Sequence, residues 1–177
     1  MKVFLMTCGF LLTISSVRAN SDSLIVYVFL LEKCQLCSVS IPEIKRLHQQ
    51  FQDQGVVFKG IFPNAAISNE ESMDSFALVH ELPFSVQLDV LQELTSELEV
   101  TVTPEVILMN HTKGEILYRG KIDNMYERVG KRRQVVTQFY LEEALNSALN
   151  KEHIAIQFTE PVGCFIMKNT TIERSNE

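Results

Sequence analysis

Two cysteines separated by two residues, Cys34-Gln35-Leu36-Cys37, stand where an apolar run ends and a helix-patterned run begins. At a helix start, free backbone N–H groups and the helix dipole stabilise a thiolate, so Cys34 is the candidate attacking sulfur. Cys37 falls one turn on, within reach to resolve a mixed disulfide that Cys34 forms with a substrate. Lys33 adds a positive charge that would lower the pKa of Cys34 further, and Glu32 opposes it. A third cysteine, Cys164, reads either as a buried small hydrophobe or as a bridge to a cysteine of the motif.

The same pair is also half of a tetrahedral zinc set. Completing that set would bring Cys164 together with His153 or His48 from distant positions. A purely structural bond between Cys34 and Cys37 would close so small a loop that it would restrict the unfolded chain little. Chemistry is therefore the expected use of these sulfurs.

The elements that must position the pair follow from periodicity. Ser23 to Leu31 is a continuous apolar run rich in β-branched and aromatic residues, suited to a strand buried on both faces. Ile41, Ile44, Leu47 and Phe51 mark one face of a helix that ends before Gly55. A second strand spans Val56 to Phe62, and a helix spans Glu70 to Leu82 with Met73 and Phe76 on its apolar side. Phe84 to Leu88 is a short strand; Leu91, Leu94 and Leu98 mark a short helix. Val106 to Asn110 and Ile116 to Arg119 form a hairpin across the turn at His111. Leu141, Ala144, Leu145, Ala148 and Leu149 line a final helix with Thr137 as its expected N-cap. Gly120 to Val136 reads as a long connection, and the chain beyond Lys151 is weakly patterned. Strands alternating with helices and closing on a hairpin plus helix describe an α/β domain with a mixed sheet covered on both faces.

Lys2, an apolar run to Ile14 and the small residues before Ala19 read as a signal peptide, residues 1–19, which implies export and a compartment where disulfides persist. No later run approaches a membrane span, so no stable membrane insertion is expected after cleavage. Residues 20–177 are expected to form a single domain with a C-terminal extension from about residue 151. The net charge of −6 becomes more negative when Lys2 and Arg18 leave with the signal, which disfavours nucleic acid as a partner. Lys131-Arg132-Arg133 reads as a solvated loop. Asn110-His111-Thr112 and Asn169-Thr170-Thr171 match the glycosylation pattern.

In combination these features resemble the thioredoxin superfamily. The strand-Cys-x-x-Cys-helix order matches; Pro42 stands where such proteins carry the proline that kinks the active-site helix, and Thr103-Pro104 in TVTPEVILMN resembles the cis-proline loop. The resemblance implies that Thr103 and Pro104 lie against the cysteines and that their backbone pairs with a bound substrate chain. The extra length between Cys37 and Pro104 resembles the strand-helix insertion of exported bacterial redoxin-domain proteins of AhpC/TSA type, and YRGKID, GKRR and EPVGC resemble their C-terminal half. The implied fold is thioredoxin-like: a central mixed β-sheet, helices on both faces and an inserted strand-helix region before the cis-proline.

The implied activity is thiol-disulfide exchange on exported proteins, with Cys34 as nucleophile and Cys37 as resolving thiol. Partners are a thiol- or disulfide-bearing protein and a separate thiol electron donor; no cofactor and no metal are implied. The exported site is periplasmic in a bacterium, otherwise secreted or in the secretory lumen. Departures from the family pattern leave the redox direction open: no tryptophan precedes Cys34, and Gln35-Leu36 replaces Gly-Pro. The buried acid that assists the resolving cysteine would fall near Val28, with Glu32 or Lys59 as substitutes. Two other readings stand beside this one. A thiol peroxidase would use Cys164 as distant resolving partner, though Leu31 replaces the expected threonine. A copper chaperone would bind Cu(I) through the two thiolates and a histidine, for which His111 and His153 are the candidates.

Overall fold

The computed structural model describes residues 23–63 and 67–168. The expected signal segment and the Asn169 glycosylation pattern lie outside the described residues.

The first strand, β1 (Leu24–Phe29), is buried along its whole length and forms the centre of a five-stranded sheet. Its side chains alternate between two cores, as a doubly covered strand requires. Leu24, Val26 and Val28 join a large cluster with the helices that follow, while Ile25, Tyr27 and Phe29 join a smaller one on the opposite face. Each fully buried Val, Leu or Phe contributes roughly 1.5–3 kcal/mol relative to exposure, so this one segment anchors both layers.

Helix α1 (Gln35–Phe51) buries Ile41, Ile44, Leu47 and Phe51, the apolar face read from the sequence, and carries Pro42 inside it. A proline there has no N–H and forfeits one intrahelical bond. Gly55, at φ +82, then turns the chain into β2 (Val56–Phe62), which pairs parallel with β1. The inserted region is α2 (Glu70–Val79) followed by β3 (Ser85–Leu88), which extends the sheet in parallel beyond β2. Asn69 and Ser72 form a capping box at the start of α2, which buries Met73 and Phe76 against the larger core.

The short helix α3 (Glu93–Glu97) lies on the other face, where Leu94 and Leu98 pack into the smaller cluster. Leu91 was expected there too, but it is exposed, because the chain enters α3 through a left-handed turn at Gln92. A two-residue strand β4 (Val102–Thr103) precedes the cis peptide bond Thr103–Pro104. Strands β5 (Glu105–Asn110) and β6 (Glu115–Gly120) then complete the sheet, β5 antiparallel to both β1 and β6, in the order β3-β2-β1-β5-β6. Asn110 is buried beside the hairpin turn, where its side chain accepts from the amide of Lys113 at 3.2 Å, so the acceptor side chain of that glycosylation pattern is turned away from solvent.

Two expectations need correction here. The long connection after Gly120, with Lys131-Arg132-Arg133 read as a loop, carries a small exposed hairpin, β7 (Tyr126–Arg128) with β8 (Lys131–Arg132), in which Glu127 pairs with Lys131 and Arg133. Helix α4 (Tyr140–Leu149) is preceded by Phe139 at the N-cap position, not Thr137. Thr137 is used elsewhere, its amide donating to Asn124 Oδ1 at 3.0 Å while its hydroxyl accepts from Asn124 Nδ2 at 2.8 Å.

Beyond α4 the weakly patterned segment returns across the molecule. It bridges in parallel to Arg119 on β6 through Phe158, and ends in β9 (Cys164–Phe165), antiparallel to β4 with Thr103 opposite Cys164. No helix among the described residues is long and apolar enough to cross a membrane.

Candidate active site around Cys34

The buried end of β1 delivers Leu30 and Leu31, then a tight turn presents Cys34 as the N-cap of α1. The Cys34 amide donates to the Leu31 carbonyl at 3.1 Å, and α1 has no acidic residue in its first turn to offset the positive end of its dipole. These are the local conditions expected for the nucleophile.

Cys34 is joined by a disulfide to Cys164, 130 residues later, with their Cα atoms 6.1 Å apart. Its Sγ lies 3.3 Å from the Thr103 carbonyl oxygen. Cys37, in contrast, is a free thiol with no exposure at all. Burial pushes its pKa up to about 11, the nearby Glu32 carboxylate adds to that rise, and hydrogen bonds from the Leu31–Cys37 turn and Thr103 act against it. At neutral pH such a group is protonated and is a poor nucleophile. The bond in this structure is therefore the one to the tail cysteine, not the one within the Cys-x-x-Cys motif.

Of the cis-proline turn, Thr103 lies against Cys34, with its carbonyl oxygen toward the sulfur, and the cis bond to Pro104 follows. The Thr103 hydroxyl is fully buried and has no partner of good geometry. Next along the chain, Glu105 is buried and ion-paired to Arg119.

The accessory residues divide. Lys33 is exposed beside Cys34. Glu32 is held by Ser68 Oγ at 2.6 Å and Ser72 Oγ at 2.7 Å, so the start of the inserted region fixes the carboxylate that helps raise the Cys37 pKa. Lys59 does not come behind the cysteines. It pairs with Tyr27, whose side chain belongs to the smaller core, whereas both cysteines belong to the larger core across the sheet. The alternation of Phe58, Lys59 and Gly60 within β2 carried that information. Val28, near which the resemblance would put a buried acid, is sealed in the core.

His111 follows the β5 end that lies beside Leu24, the start of β1, and its amide donates to the Ser23 carbonyl at 2.8 Å. It therefore sits at the end of the sheet opposite Cys34. Among the described residues no group of three His, Cys, Asp or Glu side chains is gathered for a metal ion.

The residues that sequence reasoning missed lie in the tail. Gly163 passes so close to the cis-proline turn that a Cβ on it would fall 2.0 Å from the Thr103 carbonyl oxygen. A glycine immediately before a cysteine was the available signal.

Structural comparison gives the same architecture in proteins of low identity. A hypothetical protein of Sinorhizobium meliloti superposes with a TM-score of 0.74 at 18% identity, covering 84% of this chain and 81% of the other. An uncharacterized conserved protein of Geobacillus kaustophilus gives 0.73 at 22% identity, over 85% and 79% of the two chains. A Chlorobium tepidum protein designated thiol:disulfide interchange protein DsbE gives 0.54 at 17% identity, over 72% and 81%. The fold is thioredoxin-like. No curated protein sequence matches the chain. The AhpC/TSA family model matches residues 11–122, which takes in Cys34, Cys37, the insertion and the cis-proline turn but stops short of Cys164. This chain belongs to the AhpC/TSA family.

Proposed function

We propose that the protein is an exported thiol-disulfide oxidoreductase in which Cys34 is the nucleophile. The observation that carries this reading is the setting of one sulfur: Cys34 caps α1, touches the cis-proline turn and is already disulfide-bonded. In the reducing direction the Cys34 thiolate attacks a substrate disulfide, forming a mixed disulfide and releasing one substrate thiolate. A second thiolate of the protein then attacks Cys34 Sγ and releases the other. Cys164 is the resolving group favoured by the bond present, and Cys37 is the alternative that the motif supplies. A separate thiol donor returns the protein to its dithiol form, and no cofactor enters.

The test is exchange on a model disulfide by the reduced protein. Cys34→Ser is expected to abolish turnover, and Cys37→Ser/Cys164→Ser to accumulate a mixed disulfide on Cys34. Undiminished turnover by Cys34→Ser rejects the proposal.

A second reading, thiol peroxidase, is favoured by the long-range Cys34–Cys164 bond and by the family. There, Cys34 would take one oxygen from a hydroperoxide to become a sulfenic acid, releasing an alcohol, and Cys164 would condense with it to release water. Leu31 in place of the family threonine weighs against it. Oxidation of the dithiol by peroxide much faster than by a model disulfide would favour this reading.

A further inference from the structure

We propose that the tail strand carrying Cys164 is a built-in occupant of the substrate edge: it docks as a substrate peptide would, and an external thiol attacking Cys164 opens both bond and edge. This rests on the proposed exchange chemistry at Cys34.

The tail is attached in two unequal parts. The first is woven into the domain. The Arg119 amide donates to the Gln157 carbonyl at 3.0 Å, and the Thr159 amide donates to the Arg119 carbonyl at 3.1 Å. Thr159 Oγ1 accepts from the Lys121 amide at 2.8 Å and lies 2.7 Å from the Tyr118 hydroxyl. Gly120, at φ +131, leaves room for this approach, since a Cβ there would stand 2.0 Å from the Thr159 carbonyl.

The second part, after Pro161, meets the site. It pairs with β4 over only two residue pairs, Val102 with Phe165 and Thr103 with Cys164, extended by an Ile166 amide donating to the Thr101 carbonyl at 2.9 Å and Gln92 Nε2 donating to the Met167 carbonyl at 2.7 Å. Phe165 is 81% exposed and Met167 55%, while Val162 and Ile166 are partly buried at the edges of the larger and smaller cores. Backbone pairing, which is indifferent to side-chain identity, is how a sheet edge takes an added strand. The disulfide adds to the limited affinity that this partial burial and the two-pair ladder supply. Gly163 makes the approach sterically feasible, because a Cβ there would run first into the Thr103 and Pro104 backbone.

The chemistry follows from which sulfur is shielded. Cys34 is 1% exposed, whereas Cys164 is partly exposed. An external thiolate R–S⁻ therefore attacks Cys164 Sγ, an R–S–Cys164 bond forms, the Cys34–Cys164 bond breaks, and Cys34 leaves as a thiolate at the helix start. A second R–S⁻ attacks the R–S–Cys164 bond, releases R–S–S–R and leaves the Cys164 thiolate. With the covalent tie gone, the two-pair strand detaches and the Val102–Thr103 edge becomes available to a foreign strand.

Two measurements on the full chain test this without any substrate turnover. Brief exposure of the oxidised protein to glutathione, quenched by alkylation and mapped by mass spectrometry, is expected to place the glutathionyl group on Cys164 at least about tenfold more often than on Cys34. Hydrogen exchange of residues 164–167 is expected to accelerate at least about tenfold on reduction, with residues 157–159 unchanged. Gly163→Ala in the oxidised state is expected to show the same fast exchange at 164–167. Preferential modification of Cys34, or equal protection of 164–167 in oxidised and reduced protein, overturns the inference. A failure of the exchange chemistry itself shows separately, as turnover that survives Cys34→Ser.

Discussion

The guanidinium of Arg119 closes on the carboxylate of Glu105, with Nη2 at 2.8 Å and Nε at 3.1 Å from the same Oε1. Glu105 follows the cis-proline directly, and its side chain is 1% exposed against 22% for Arg119. Burial raises the Glu105 pKa, and the Arg119 charge and hydrogen bonds work against that rise. The strand that follows the cis-proline turn is thus held by a carboxylate that is tolerable only while its partner is present.

Removing that partner is expected to be costly. Arg119→Ala leaves an uncompensated buried charge and should lower the unfolding free energy by about 3 kcal/mol near neutral pH. The loss should shrink near pH 4, where Glu105 can protonate in the folded state. Urea unfolding of both proteins at the two pH values measures it, and an equal loss at both would show that the charge is not the cause.

Cys37 links stability to alkaline pH. Its folded pKa of about 11 lies above the ordinary thiol value of 9.0. The stabilisation from keeping it a thiol is therefore complete below about pH 9 and is lost as pH rises through about 11. Two units correspond to about 2–3 kcal/mol. The oxidised wild type should lose this much more than Cys37→Ala between about pH 8.5 and 11; parallel pH profiles would reject the buried, protonated thiol.

The same group controls resolution when the tail cysteine is missing. In Cys164→Ser only Cys37 can release a mixed disulfide on Cys34, and only its thiolate reacts. The lifetime of that mixed disulfide should shorten about tenfold per pH unit between about pH 7 and 10. Quenched-flow mass spectrometry follows it, and a lifetime independent of pH would exclude Cys37 as the resolving group.

Gly120 makes a purely structural prediction. It combines φ +131 with a neighbour where a Cβ would go, 2.0 Å from the Thr159 carbonyl. Gly120→Ala must both strain the backbone and displace the tail, and should cost about 2 kcal/mol or more. Thermal unfolding tests this. A control substitution at Gly130, where φ is +78 but nothing lies within 4 Å of the added Cβ, should cost less.

Local pattern was enough to determine the layers. The unbroken apolar run of β1, the Ile41-Ile44-Leu47-Phe51 face of α1 and the extent of β2 at Val56–Phe62 all stand in the fold as read. The cis bond at Thr103-Pro104 was expected from the family resemblance alone, since an X-Pro bond by itself favours trans. The face of Lys59 was equally legible in the two-residue period of its strand. What the tertiary structure alone decided is the identity of the partner of Cys34. Cys37 is nearby along the chain, yet it points into the core. Cys164 arrives from 130 residues away because Thr159 and Gly120 turn an unpatterned tail toward β4, and Gly163 lets it close. A two-residue strand paired through its backbone leaves no periodicity to read, so its placement emerges only once the rest of the chain has folded around it.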